Sequence, residues 1–151
     1  MQLHTSHGNI RLRLRPEWSP ESVAYVRAVA AAPELCTSAC EFYRVEPGFL
    51  LQGSLRARIA PNAVTKEGPR HMVRGDVGWA GGSAGPDFFI YLGSQPATHW
   101  GLTHTVWAEV ADEESFAVAE ACVQQPPLPT KPGEMHMVAQ RIPIEIGVVA
   151  E

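Results

Sequence analysis

No apolar run in these 151 residues approaches the roughly 18 to 20 that a membrane-spanning helix needs, and no charged start followed by an apolar stretch opens the chain as a secretory signal would. The sequence therefore reads as a soluble chain. Lysine is scarce: ten of the twelve basic residues are arginine, and sixteen acidic residues bring the formal charge to −4. That balance argues against a nucleic-acid binder held by phosphate contacts. Cysteine is scarce as well, with Cys36, Cys40 and Cys122 forming an odd count that completes no disulfide framework. Cys36 and Cys40 are four apart, close enough for a bond if the segment is a helical turn or tight loop. No second ligand pair accompanies them, which argues against zinc and leaves buried thiols or a disulfide as the open readings. Only the disulfide would point to an oxidising compartment such as the secretory lumen; otherwise a cytoplasmic protein is expected. The six histidines, at 4, 7, 71, 99, 104 and 136, show no spacing that would assemble a metal site.

Thirteen glycines and thirteen prolines interrupt the chain too often for a helical bundle, while 45% hydrophobic residues are ample for one core. A single domain over 1–151 is expected. Residues 1–75 carry a net +4 and residues 76–151 a net −8, an asymmetry that gives patches in an interleaved fold. Arg11, Arg13 and Arg15 alternate with Ile10, Leu12 and Leu14, as in a strand with one dry and one wet face. Strands are read over 1–6, 9–15, 40–45, 49–55, 77–81, 88–92, 104–110 and 141–149. One helix is expected to start at Ser19 as N-cap with Pro20 at the first position, and to run to about residue 32. A second starts at Asp112 and places Phe116, Ala119, Cys122 and Val123 on one face. Residues 56–76 read as the longest loop, and 124–133, with four prolines, as an extended surface connection. About eight strands without a βαβ rhythm fit a mainly β, closed or nearly closed antiparallel barrel capped by two helices, because closure removes exposed edges.

The most informative stretch is Phe42-Tyr43-Arg44-Val45-Glu46-Pro47-Gly48-Phe49-Leu50-Leu51-Gln52-Gly53. It resembles the signature of the cyclophilins, peptidyl-prolyl cis-trans isomerases whose hallmark runs Phe-His-Arg, two residues, Pro-Gly-Phe, two residues, Gln-Gly. Three further features support the resemblance. Gly8-Asn9-Ile10 leads into Ser19-Pro20; Gly85-Pro86-Asp87-Phe88-Phe89-Ile90 is similar to the family's Gly-Ser-Gln-Phe-Phe-Ile; Trp100 followed by His104-Thr105-Val106-Trp107 is similar to its Trp-Leu and His-Val-Val-Phe segments. The resemblance implies an eight-stranded antiparallel barrel with a helix at each end, no cofactor and no metal. As partners it implies proline-containing peptides, client proteins and cyclosporin-like ligands, acting on a monomer.

The chemistry is rotation about a peptide bond whose partial double-bond character sets a barrier of about 18 to 20 kcal/mol. A guanidinium that hydrogen-bonds the prolyl nitrogen localises its lone pair and weakens the resonance, while a dry pocket holds the ring. The resemblance assigns that guanidinium to Arg44 and its orientation to Gln52. It assigns the proline pocket to Phe49, Leu50, Phe89, Leu102 and His104, with Trp100 at the rim and Ala80, Gly81 and Asp87 along the substrate side.

Several positions depart from the family pattern: Tyr43 replaces His, Gly81 replaces Asn, the loop before Pro86 is about three residues shorter, and Asp87 replaces Gln. The change at Tyr43 matters little if its side chain only packs behind Arg44. Asp87 is expected to pair with Arg44 and restrain catalysis. Gly81-Gly82-Ser83-Ala84-Gly85 also matches the G-x-S-x-G of serine hydrolases, with Asp112 and His104 downstream, but that elbow needs a helix directly after the serine, and Gly85-Pro86 forbids one. Isomerisation of X-Pro bonds is the expected function. The alternative is a catalytically weak domain of the same fold that binds proline-containing partners or acts as a scaffold.

Overall fold

The computed structural model describes residues 1–55, 67–82 and 85–148. Its strands are β1 (Gln2–Thr5), β2 (Gly8–Leu14), β3 (Cys40–Glu46), β4 (Leu50–Leu55), β5 (Asp76–Trp79), β6 (Asp87–Tyr91), β7 (Val106–Val110), β8 (Met137–Pro143) and β9 (Glu145–Gly147). Two helices, α1 (Pro20–Ala31) and α2 (Glu113–Val123), complete the frame. All nine strands form one antiparallel sheet in the order β8-β3-β4-β6-β5-β7-β2-β1-β9. Its two edge strands, β8 and β9, are separated in the chain by Ile144 alone, whose N–H donates to the Cys40 carbonyl at 2.9 Å. The chain thus leaves one edge and enters the other, so the sheet curls into a nearly closed barrel.

This handover corrects the single strand read over 141–149. Pairing with β3 begins four residues earlier, at Met137, and the segment then changes partner from β3 to β1 around Ile144. Val149 lies outside the described residues, as do 56–66 of the expected long loop. Two more boundaries shift: the strand read over 77–81 ends at Trp79, because Gly81 (φ +67°) turns the chain into a short 3₁₀ segment, and the strand read from 104 starts at Val106.

Alternation along the strands builds two packed regions. Phe42, Leu51, Leu55, Phe88, Ile90, Trp79 and Trp107 point into the barrel with Leu3, Ile10 and Ile142. Leu50, Phe89 and Tyr91 point the other way and pack with Met72, Ala97 and Val106. Trp79 donates its indole N–H to Ser22 Oγ at 2.9 Å, which ties α1 to the core.

The α1 N-terminus is capped differently from the expectation. The Ser19 hydroxyl donates to the Val106 carbonyl at 2.7 Å, and the carboxylate of Glu67 accepts from the Ser22 N–H at 2.6 Å. A loop residue 45 positions away therefore supplies the anion at the positive helix end. Asp112 does cap α2, accepting from the Ser115 N–H at 2.9 Å.

Cys36 and Cys40 are bonded, with Cα atoms 5.0 Å apart, which resolves the open cysteine reading. The link fastens the turn between α1 and β3 to the first residue of the strand that carries Arg44. Closing so short a loop is worth about 2 kcal/mol on the chain-entropy account. Burial pushes the Cys122 thiol up to about 11 against the opposing hydrogen bond of Thr5, so it stays protonated and unreactive in the native state. Unfolding without reductant is therefore expected to expose one modifiable thiol per chain, and the Cys36→Ser/Cys40→Ser variant to melt several degrees lower. Three thiols titrating in oxidised, unfolded protein would contradict the bridge.

Candidate active site

A β-bulge between Phe42 and Arg44 sets the geometry of the site. Without it, Phe42 and Arg44 would share a face, since side chains two apart on a strand point the same way. The extra residue, Tyr43, turns Phe42 into the core and Arg44 outward, as bulges do when they re-aim a side chain. Three rows then cross β3, β4 and β6 on the barrel exterior. The middle row is Arg44, Gln52 and Phe89; on one side lie Glu46, Leu50 and Tyr91, and on the other Glu41, Ser54 and Asp87. Between these rows Gly53 faces the barrel interior opposite Phe42, and a Cβ there would clash with the Glu41 carbonyl oxygen, so only glycine lets β3 and β4 approach at that point.

The guanidinium of Arg44 is held at two nitrogens. Nε donates to Glu46 Oε2 at 2.8 Å and one Nη donates to Gln52 Oε1 at 3.2 Å. The Gln52 amide donates in turn to the Tyr43 hydroxyl at 2.8 Å. Tyr43 is therefore part of the chain of bonds that orients Arg44 and does more than pack behind it, so the condition under which its replacement of His would matter little is not met. The side chains of Arg44 and Glu46 are only 16% and 12% exposed, so this ion pair is shielded from water. Burial pushes the Glu46 carboxyl up, but the bonds from Arg44, from the His136 backbone N–H (3.1 Å) and from the His136 ring, with the Arg44 charge, leave it below the ordinary carboxylate value.

The expected pairing of Arg44 with Asp87 is not what forms. Glu46, two residues along the same strand and on the same face, reaches Nε, while Asp87 sits one row away and two strands over. Among the described residues Asp87 Oδ1 is buried without a hydrogen-bond partner.

Beside Arg44 opens a groove of about 420 Å³ lined by Arg44, Gln52, Phe49, Leu50, Ala80, Gly81, Asp87, Phe89, Trp100, His104 and Met135. Every residue assigned to the site from sequence is there except Leu102. The left-handed Gly101 (φ +59°) turns the chain after Trp100 and carries Leu102 outward, where it is 53% exposed. Trp100 is the hub of the wall as well as its edge, with ring centroids 5.5 Å from Phe49, 5.4 Å from Phe89 and 4.8 Å from His104. Phe89 and His104 meet edge to face at 5.1 Å. Such a box offers apolar faces of fixed geometry to a flat ring.

Two residues escaped sequence reasoning. Glu46 lay between motif positions, and only its place two residues after an outward Arg44 signals an ion pair. Met135 follows the proline-rich connection, in a segment that folds back onto β3, where the Val45 N–H donates to the His136 carbonyl at 2.9 Å. Ser83, the serine of the G-x-S-x-G match, lies outside the described residues; the segment after it is strand β6.

Known proteins share the fold and the family sequence pattern. Peptidyl-prolyl cis-trans isomerase A of Mycobacterium tuberculosis is 28% identical, over 79% of this chain and 77% of its own length. A crystal structure of a cyclophilin type peptidyl-prolyl cis-trans isomerase from Cryptosporidium parvum superposes with TM-score 0.64 at 17% identity, covering 99% of this chain and 97% of that one. A second structure of that protein, determined in the presence of the dipeptide Ala-Pro, gives TM-score 0.62 at 19% identity, with 98% of each chain covered. The family model for cyclophilin type peptidyl-prolyl cis-trans isomerase/CLD matches residues 1–145, and the chain belongs to that family.

Proposed function

We propose that the groove isomerises X-Pro bonds in peptides and folding proteins, with Arg44 as the catalytic guanidinium. The observation that carries this reading is that Arg44 is pinned at two nitrogens beside an aromatic box, in the same cross-strand row as Phe89. A proline ring seated on Phe49, Phe89, Trp100 and His104 brings its nitrogen to the remaining donors of Arg44. Donation to that nitrogen removes its lone pair from the amide and lowers the rotational barrier. The donor is already oriented by Glu46, Gln52 and Tyr43, so little reorganisation accompanies the transition state. Each tenfold acceleration needs about 1.4 kcal/mol, within reach of one charged donor and a preorganised pocket.

The test is protease-free exchange spectroscopy on an Ala-Pro-containing peptide. Substoichiometric protein is expected to accelerate cis-trans exchange in a saturable way. Binding without acceleration would instead make the groove a recognition site for proline-containing partners. The Cys36–Cys40 bond supports residence in an oxidising compartment. Alkylation of thiols in intact cells before lysis is expected to find both cysteines protected.

A further inference from the structure

One row beyond Arg44, on the far side of Asp87 from the proline box, lies a second pocket of about 540 Å³ that the isomerase chemistry does not use. Glu41, Ser54 and Asp87, cross-strand neighbours on β3, β4 and β6, form its floor, and Tyr43 and Arg141 contribute to its wall. Asp87 lines both this pocket and the groove, so the two share a wall. A peptide seated in the groove therefore has this pocket within side-chain reach.

Two polar atoms of the floor, on Ser54 and Asp87, lack partners among the described residues. Ser54 is only 4% exposed, yet among the described residues its hydroxyl oxygen has no hydrogen-bond partner, and neither does the buried Oδ1 of Asp87. Native proteins leave few buried polar atoms unpaired, because each forfeits its bonds to water without replacement. The two atoms belong to cross-strand neighbours that line one pocket, and each can accept a hydrogen bond, the serine oxygen through its lone pairs.

Charge decides which donor. Arg141 is already engaged, with one Nη donating to Glu41 Oε1 at 3.3 Å and its guanidinium 5.3 Å from the centre of the Tyr43 ring. It neutralises Glu41, and among the described residues Asp87 takes part in no ion pair. A group that only donates and carries positive charge meets both open acceptors and the unbalanced carboxylate. An acidic side chain would face Asp87 and Glu41, and an apolar one would leave both acceptors unpaired.

We propose that this pocket is a subsite for a lysine or arginine side chain of the substrate, so that X-Pro segments with a basic residue near the proline are preferred. The inference rests on the isomerase reading above and adds the substrate class. Its test is a peptide set with Lys, Arg, Leu or Glu placed in turn at each of the three positions on either side of the proline. At one position kcat/KM is expected to be about tenfold higher for Lys or Arg than for Leu, chiefly through KM, with Glu below Leu. The Lys-to-Leu ratio is expected to fall towards one in Asp87→Asn, to fall in Ser54→Ala, and to shrink in high salt. Turnover of the Leu peptides with no basic preference at any position would overturn the subsite and leave the isomerase reading standing. A preference that survives in both variants would overturn it too, because the cation would then be read elsewhere. If no peptide is turned over, the isomerase reading fails, and Kd values for the same Lys and Leu peptides by calorimetry decide the subsite by the same ratios.

Discussion

Arg44→Ala is expected to lower kcat/KM for X-Pro isomerisation at least tenfold in protein that still folds, with a lower melting temperature because the shielded Glu46 carboxylate loses its ion pair. Among the residues lining the groove, Arg44 is the permanently charged donor, and it stands in register with Phe89 across β4. Its loss removes the hydrogen bond to the prolyl nitrogen, which forms fully only as that nitrogen gains its lone pair, so the effect falls on kcat more than on KM. A tenfold loss corresponds to about 1.4 kcal/mol. Arg44→Lys is expected to recover little, because an ammonium cannot donate to Glu46, Gln52 and substrate from one rigid plane. Unchanged catalysis in Arg44→Ala would remove the mechanism.

The second large effect is expected at Glu46. This carboxylate holds Nε of the catalytic guanidinium, and it is fixed itself by the backbone and ring of His136. Glu46→Ala frees the guanidinium to swing, and misplacement by about an ångström can cost a hundredfold. A drop of about tenfold or more in kcat/KM is expected, with Glu46→Gln recovering most of it, since an amide oxygen still accepts from Nε. The pH dependence follows from the lowered Glu46 value. Its folded-state pKa lies below the unfolded one, near 4.5, so the ion pair contributes its full stability above that value and loses it as pH falls through the folded value. The gap in urea midpoint between wild type and Glu46→Gln should therefore be open at pH 7 and closed in acid. A gap that does not narrow as the pH is lowered through the acid range, or Glu46→Gln as inactive as Glu46→Ala, would show that Glu46 is not the anchor.

Most of the frame was legible in the sequence because local patterns dictate it. Arg11, Arg13 and Arg15 alternating with Ile10, Leu12 and Leu14 could form only a strand with one dry face. Asp112 before Glu113 and Glu114 marked the start of α2, and its cap formed as read. What stayed hidden depends on contacts between distant segments. Ser19 looked like a cap, but Glu67 does that work because the barrel brings the Val106 carbonyl to the Ser19 hydroxyl. The partner of Arg44 was misplaced for a related reason. Which face Arg44, Glu46 and Asp87 occupy depends on the bulge at Tyr43, and a bulge is a property of two paired strands. Leu102 left the pocket through one left-handed glycine, and Met135 entered it through two backbone bonds to β3 and Glu46.

The most direct test of the central claim is the structure of this protein with an Ala-Pro-containing peptide bound. The proline ring is expected against Phe49, Phe89, Trp100 and His104, with the prolyl nitrogen about 3 Å from an Arg44 nitrogen that Glu46 does not hold. A proline ring seated elsewhere, or an Arg44 guanidinium turned away from the X-Pro bond towards Asp87, would contradict it.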